Sequence, residues 1–562
     1  MQCQDAGEVI PLLRELDRKV AEGYTAAGFL CYEAGQAFLP IRQASHVPLP
    51  MAWFALTRHV RPLALGTLPD GFDDGEKASV GDLRLNAGFP DYEDAIHTIR
   101  EWIAAGHTYQ VNYTMRLRSG FSGSARALYK QLRARQRVDY AAYLETPEWT
   151  VLSLSPELFL RKRGNTIVMK PMKGTAPRGR TNREDQERIS ELQNSAKEQS
   201  ENLMIVDMLR SDLGKICETG SVIVSSAMDV DRYETLLQMT STIAGELKPE
   251  AGLVEVFAAT FPSGSVTGAP KIRTMQIIGE LEPEPRGIYT GCIGFINREE
   301  TVFNVAIRTI WIDRSSSRLE MGTGSGILYE ADPAREYHEC ELKGAFLTQN
   351  IPEFQIFETI LWTSREGYRL LSLHLDRLSD SAHYFGYPAD IPRIKRILKQ
   401  QENAFSGDPL EMRVRLVLHS SGDVEVSAEP LPGLGKDSVK IRFSNQHTDS
   451  TDPFYFHKTT RRTLYEDELR RARGEGYFDV LFENERGEVT EGAITNVFTK
   501  KAGTLLTPPV ECGLLAGTFR RHLLDSQPFP IQVRVLSKRD LEEADQVLIC
   551  NALRGLIPAV LT

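Results

Sequence analysis

The chain has 562 residues, 41% hydrophobic and 25% charged, with a formal net charge of −10. Such a composition belongs to a globular protein with sizeable cores, and the length suggests about three or four ordinary domains or two large ones. The acidic balance, with no basic arm or aromatic–basic array, argues against a nucleic-acid surface, and no apolar run approaches the roughly 18 residues of a membrane span. The N-terminal "MQCQDAGEVIPLLRELDRK" lacks the basic and apolar regions of a signal peptide, and the seven cysteines form no C-x-x-C pair. A cytoplasmic enzyme is expected, without a disulfide framework or structural zinc.

In chain order, strand-like runs ("WTVLSLS", "LFLRKRG", "GNTIVMK", "TVFNVAIRTIWI", "RLEMGTGSGIL") alternate with helical stretches, of which 183–214 reads as one long helix. Near 345–360 a charged helical segment gives way to a Pro-marked break and then an alternating apolar strand. The break predicts two domains, residues 1–348 and 353–562. The first is expected to be α+β, with large antiparallel sheets and helices. The second mixes strands ("EMRVRLVLH", "YFDVLFENERGEVTEG") with helices over 370–386 and 460–476, and "FENERGE" reads as a hairpin turn.

Two pairs of carboxylates stand out. Glu198 and Glu201 lie three apart in "AKEQSENLMIV", and Glu336 and Glu339 three apart in "AREYHECELK", followed a turn later by Lys343. Each pair falls on one helical face. Either is a solvated surface, or the two converge on a magnesium ion, which prefers oxygen ligands. A lysine, Lys173, precedes a glycine in "VMKPMKGTAPRGR", and by itself it reads either as a solvated strand end or as a group aimed into a site.

The segments "SENLMIVDMLRSDLGKIC", "FPSGSVTGAPKIRTMQIIGELEP", "RGIYTGCIGFI" and "GTGSGILYEADPAREYHECELKGAF" together resemble the chorismate-utilising enzymes over most of residues 90–345. "GFLCYEAGQAF" extends the likeness weakly toward the N-terminus. The resemblance implies that Glu198, Glu201, Glu336 and Glu339 form a magnesium shell that polarises the carboxylate of chorismate. It places Arg308, in "VAIRTI", and Lys343 on substrate carboxylates, and Tyr289 and Gly324 in the pocket wall. An arginine fork suits a carboxylate because it bonds both oxygens at once.

Three positions separate the reactions within that family. Glu157, in "SPELFL", matches the general acid/base that protonates the departing ring hydroxyl, a task needing a raised pKa. Gln110, in "HTYQVNYT", replaces the water-activating lysine of the isochorismate and salicylate synthases, leaving an ammonia-using member. Lys173 stands where anthranilate synthases usually carry alanine, and "PMKGT" resembles the aminodeoxychorismate branch. For that branch the resemblance implies a lysine nucleophile that ammonia later displaces, with Gly174 and Thr175 close to the substrate. Gln238 falls near a position where many relatives have histidine, while Lys170 reads as a solvated surface lysine. No glutaminase nucleophile elbow is present in the sequence, so a separate glutamine amidotransferase or free ammonia is expected to supply nitrogen.

In the second part, "FETIL", "SLHLDRLSDSAHYFG", "FYFHKTTRRTLYEDEL", "GEVTEGAITNVF", "GLLAGTFRR" and "CNALRGL" follow an order that resembles the fold-type IV pyridoxal-phosphate enzymes, aminotransferases and aminodeoxychorismate lyase among them. The likeness implies an aminotransferase-like α/β domain and a homodimer. Lys458 would bind the cofactor aldehyde, Glu491 would face the pyridine nitrogen, and Gly517, Thr518 and Arg377 would meet the phosphate. Tyr465, seven residues after Lys458, leans toward the lyase. The fusion predicts formation of 4-aminobenzoate, a folate precursor, in two steps. The alternatives are an anthranilate synthase fused to an aminotransferase, or a synthase with a catalytically silent C-terminal binding module.

Overall fold

A computed structural model of the chain describes residues 1–41, 47–63, 67–72, 75–348, 353–405, 411–435 and 438–562. The chain divides into two compact units, one of residues 1–177 and 189–351, the other of 178–188 and 352–562. Part of the expected break, 349–352, lies outside the described residues. No helix among the described residues is long and apolar enough to cross a membrane.

The first unit holds a ten-stranded and an eight-stranded sheet. In the larger, Cys292–Ile296, Glu300–Val305, Leu158–Arg163, Thr166–Lys170, Leu236–Glu246 and Met172–Pro177 are successive neighbours. All of these pairings are antiparallel. Its core is aromatic, with Phe54, Phe159, Phe257, Phe261 and Phe303 buried in one cluster. The smaller sheet centres on two long strands, Gln110–Gly123 and Arg318–Ile327, paired antiparallel. That pairing sets Gly322, Gly324 and Gly326 at alternate positions of one strand, so all three share a face.

Two sequence expectations change here. The helix anticipated over 183–214 is two helices, Asn182–Asn194 and Ala196–Gly214. Ser195 separates them, its extended backbone starting the second helix while its hydroxyl accepts from Glu198 N at 3.4 Å; this is an N-cap, and it puts Glu198 and Glu201 in the first two turns. The single strand expected over 301–312 is also divided, into Glu300–Val305 and Thr309–Asp313. Arg308 has a φ of 48° between them, a left-handed conformation that cannot continue a strand.

In the second unit an antiparallel four-stranded sheet includes Ile356–Thr363, Glu411–Leu418 and Val424–Pro430. Its apolar face, with Ile360, Val414, Leu416 and Leu418, packs against Leu375, Leu378 and Leu398 of two helices. A mixed eight-stranded sheet carries the rest, with the anticipated hairpin at Asp479–Glu483 and Val489–Gly492. Residues 178–188, counted with the first domain on sequence grounds, belong to this unit because their polar groups are satisfied here. Tyr384 OH donates to Gly179 O at 2.7 Å, and Arg178 pairs with buried Asp185 at 2.7 Å.

A buried ionic cluster fixes the first unit's interior. Arg286 donates to both oxygens of Glu282, at 3.0 and 2.7 Å, and to the carbonyls of Val266 and Asn112. Glu33 accepts from the backbone N–H groups of Arg286 and Gly287, and burial pushes its carboxyl up to about 7. Removing one partner of such a pair leaves a desolvated charge, so Arg286→Ala should destabilise the first unit by about 3–5 kcal/mol. Denaturant unfolding of the full chain, followed at the first unit's transition, checks this.

Candidate active sites

Lys173 owes its position to a defect in a strand. Along the pairing of Met172–Pro177 with Leu236–Glu246, Met172 faces Thr240 and Thr175 faces Gln238. Two residues, Lys173 and Gly174, therefore oppose Met239 alone. Such a bulge bends a strand and re-aims a side chain. Gly174 supplies the required conformation with a φ of 92°. Gln238 holds it from the neighbouring strand, donating to Gly174 O at 2.8 Å and accepting from Thr175 Oγ1 at 3.1 Å.

The half-buried Lys173 directs its amine onto the smaller sheet's glycine face. A Cβ added at Gly326 would lie 3.1 Å from Lys173 Nζ and 2.8 Å from Gln110 Nε2. Gln110 also donates to Glu201 Oε2 at 3.3 Å. Glu157 is 3% exposed and its Oε1 accepts from Ser265 Oγ at 2.5 Å. Burial pushes the Glu157 carboxyl up to about 7, against the hydrogen bond from Ser265 and the charge of Lys173. Burial also lowers the Lys173 pKa, opposed by Glu201 and Glu157 and reinforced by Lys343. A weakened acid and an amine whose charge burial disfavours thus act on one another.

The carboxylate pairs lie on two helices that pack against the two strands carrying Lys173 and Gly326. Ala196–Gly214 packs on Met172–Pro177, and Pro333–Leu342 on Arg318–Ile327. Burial raises Glu201, with Glu198 adding repulsion, and burial raises Glu336, with Glu339 adding repulsion. Oxygen donors that disfavour their own ionisation suit a hard cation. However, Glu339 is engaged by Lys343 at 2.7 Å, and among the described residues no three His, Cys, Asp or Glu side chains are close enough to hold a metal. The donor chemistry fits magnesium; the spacing is open.

The remaining first-unit residues divide around the pocket. Lys343 Nζ also donates to Gly324 O at 2.6 Å. Tyr289 is buried with its ring where a Cβ on Gly322 would be, 2.0 Å from Cγ, and it shares the environment of Arg286 and Arg116. Arg308 is half-buried, its pKa lowered by burial against Tyr233 and Glu234; Tyr233 OH reaches Pro156 O, beside Glu157, at 3.5 Å. Sequence reasoning missed Ser265 as the partner of Glu157, although it lies in the quoted "PSGSVTGAPK", and missed Gln238 as the clamp of the bulge.

In the second unit a cavity of about 680 Å³ is lined by Lys458, Glu491, Gly517, Thr518 and Arg377, among others. Burial, and then the charges of Arg462 and Arg377, bring the Lys458 amine down to about 7. Its Nζ sits 4.6 Å from the centre of the Phe357 ring. Glu491 accepts from Leu515 N at 3.1 Å, Tyr465 OH at 3.2 Å and Asn496 Nδ2 at 3.1 Å, while burial raises it to about 7. Tyr465 therefore acts on the acid and not on the lysine. Gly517 caps the helix Thr518–Ser526, and a Cβ there would strike Asn496 Oδ1 at 1.9 Å.

Arg377 forms a two-pronged pair with Glu358, at 2.8 and 2.7 Å, and donates to Ala516 O at 3.2 Å, just before that helix. His374 bridges Glu358 at 2.7 Å and Thr518 Oγ1 at 3.4 Å. Burial alone would raise Glu358, but Arg377 and His374 hold it down at about 2. Free helix N–H groups, a desolvated lysine and a buried acid in one cavity fit the phosphate, aldehyde and ring nitrogen of pyridoxal phosphate.

The chain belongs to the chorismate binding enzyme family, which residues 11–349 match. Residues 355–561 match the amino-transferase class IV family. Similar curated proteins include aminodeoxychorismate synthase component 1 of Bacillus subtilis (strain 168), 39% identical over 269 residues, spanning 48% of this chain and 57% of the relative. The aminodeoxychorismate synthase of Streptomyces griseus is 38% identical over 342 residues, 60% of this chain and 46% of the relative. The chain thus spans about half the length of these relatives. Among solved structures, anthranilate synthase component I from Streptococcus pneumoniae TIGR4 superposes with a TM-score of 0.53 at 25% identity, over 60% of this chain and 85% of that one.

The bulge predicts a specific sensitivity. Gly174→Ala would strain a φ of 92° and set a Cβ 3.1 Å from Glu198 Oε2. It should lower first-site turnover at least about tenfold through misplacement of Lys173. Gly164→Ala strains a φ of 59° with nothing within 4 Å and should leave turnover nearly intact; steady-state rates of the two variants compare them. At the second site, the neutral fraction of Lys458 grows as pH rises through about 7. The rate at which apoprotein takes up pyridoxal phosphate should therefore climb over about one unit either side of that value and then level off. A stopped-flow absorbance series against pH would reveal a flat profile if the amine were already discharged.

Proposed function

We propose that the first unit aminates chorismate at the ring carbon bearing its hydroxyl, and that the second eliminates pyruvate from that product to give 4-aminobenzoate. The observation that carries the reading is the bulge-held lysine in "PMKGT", its amine desolvated beside Glu157. In the amination, the Lys173 amine bonds to the ring as the hydroxyl departs, taking a proton from Glu157. Ammonia then forms the new C–N bond as the C–N bond to lysine breaks, and Glu157 recovers its proton from the new ring ammonium. Glu157, raised to about 7, suits both halves of this exchange near neutral pH. Gln110, having no basic nitrogen, activates no water and instead steadies Glu201.

Glu198, Glu201, Glu336 and Glu339 would hold magnesium, which supplies positive charge for the substrate carboxylate. A glutamine amidotransferase partner would supply the ammonia. Arg308 and Lys343 would contact substrate carboxylates, with Tyr289 and Gly324 in the wall.

At the second site pyridoxal phosphate, when bound, supplies an electron sink conjugated to the substrate amine. Lys458 holds the cofactor and moves the proton needed for elimination. Glu491 keeps the ring nitrogen charged, and Gly517, Thr518 and Arg377 orient the phosphate end. Support comes from the desolvated amine of Lys458 and the three donors on Glu491, features that a catalytically silent module would not need.

The test is a single incubation of the protein with chorismate, magnesium and ammonium, with pyridoxal phosphate present or removed. An aminated chorismate should accumulate without the cofactor and 4-aminobenzoate should form with it. Lys173→Ala should reduce the first product by at least about 100-fold, as loss of a covalent nucleophile does. Lys458→Ala should stop only the second step. Formation of 2-aminobenzoate would overturn the reading in favour of an anthranilate synthase, and glutamine-dependent turnover on adding a candidate amidotransferase would establish the partner.

A further inference from the structure

The strand Glu411–Leu418 turns Met412, Val414, Leu416 and Leu418 into the core, so its alternate residues Arg413 and Arg415 lie on the opposite face, toward the Lys458 cavity. Their cross-strand partners differ. Arg413 faces Glu429 and forms an ion pair with it. Arg415 faces Ser427, which carries no charge. Its guanidinium instead lies 4.1 Å from the centre of the Phe357 ring, the same ring that Lys458 Nζ approaches at 4.6 Å. Arg462 stands at 5.9 Å from that ring and donates to the carbonyl of Ala493.

Among the described residues no carboxylate lies within ion-pair distance of Arg415 or Arg462. The two guanidinium groups are also mutually repulsive, since Arg462 lowers the pKa of Arg415 after burial does, with Glu466 opposing through space and Arg413 adding to the repulsion. Two guanidinium groups gathered on the ring that Lys458 also approaches cost free energy that an anionic ligand offsets. The cofactor phosphate has its own place at the helix beginning at Thr518, beside Arg377. We propose that Arg415 and Arg462 form a carboxylate clamp that selects, as the second site's substrate, a cyclic amine bearing a ring-borne carboxylate. Planar guanidinium forks bind such a group at both oxygens. The inference rests on the lyase reading for the substrate's identity, and on the placement of Arg415 and Arg462 for the carboxylate.

The experiment uses the full-length holoenzyme and two rigid probes, isophthalate and its uncharged diamide, with binding read from the shift in cofactor absorbance. The wild type should bind isophthalate and discriminate against the diamide. Arg415→Gln should weaken isophthalate by roughly ten- to a hundredfold, the loss expected for a charged hydrogen-bonded pair. Arg415→Lys should recover part of the affinity, and pyridoxal phosphate affinity should change less than about twofold in either variant. Equal affinity of the wild type for both probes would overturn the clamp, as would an unaltered isophthalate affinity in Arg415→Gln. Loss of cofactor affinity instead would reassign Arg415 to the phosphate. Isophthalate binding through Arg415 without turnover of aminated chorismate would retain the clamp and refute the lyase reading. Turnover with a KM unmoved by Arg415→Gln would do the reverse.

Discussion

Taking an amine out of water without handing its charge to an adjacent carboxylate is the constraint on which both candidate sites depend. Lysines elsewhere in the chain show the ordinary outcomes. Lys170 pairs with Asp231 at 2.5 Å near the surface, and Lys271 is buried against Asp212 at 2.5 Å and Thr260 O at 3.1 Å. Lys173 and Lys458 have no ion pair among the described residues, only carboxylates that act through space. Desolvation therefore lowers their pKa without an ionic contact that would hold the charge in place. An amine so placed is available to react, which a salt-bridged one is not.

The two units reach this condition by different backbone means. In the first, one extra residue in an antiparallel pairing turns Lys173 toward Gly326 on the glycine face of the smaller sheet. Gln238 steadies the left-handed Gly174 by donating to its carbonyl and accepting from Thr175 Oγ1, so this residue, near a position where many relatives have histidine, has a structural role of its own. In the second, Lys458 lies beside a strand and its backbone carbonyl accepts from Phe357 N at 3.0 Å. The Phe357 ring is then shared by the lysine, Arg415 and Arg462, and neither arginine has an ion pair among the described residues. Cation repulsion assists burial here, whereas in the first unit Lys343 plays the lesser part.

The acids are tuned in the same currency. Glu157 and Glu491 both rise to about 7 through burial, yet their partners differ in kind. Glu157 has one short bond from a hydroxyl that can reorient as the proton moves. Glu491 is fixed by three donors, as befits a group that keeps its position while holding a charge on a ring nitrogen. Glu358, equally buried, stays ionised because a guanidinium and an imidazole flank it.

Much of this was readable before folding. The motif order, the helical spacing of the glutamate pairs, the Lys-Gly-Thr run and the lysine-to-acid order of the second unit are local patterns, and local patterns survive in a linear string. Helix and strand interiors were legible for the same reason, while the interruptions at Ser195 and Arg308 were not, because a cap and a single left-handed residue leave the periodicity on either side intact. Strand pairing decided the rest. Only register shows that Lys173 sits in a bulge opposite Met239, that Arg413 is neutralised by Glu429 while Arg415 faces a serine, and that residues 178–188 complete the second unit. Sequence determined which chemical groups this protein possesses and along which faces they run; tertiary structure decided which of them lose water and which find a counter-charge, since both depend on neighbours distant in the chain.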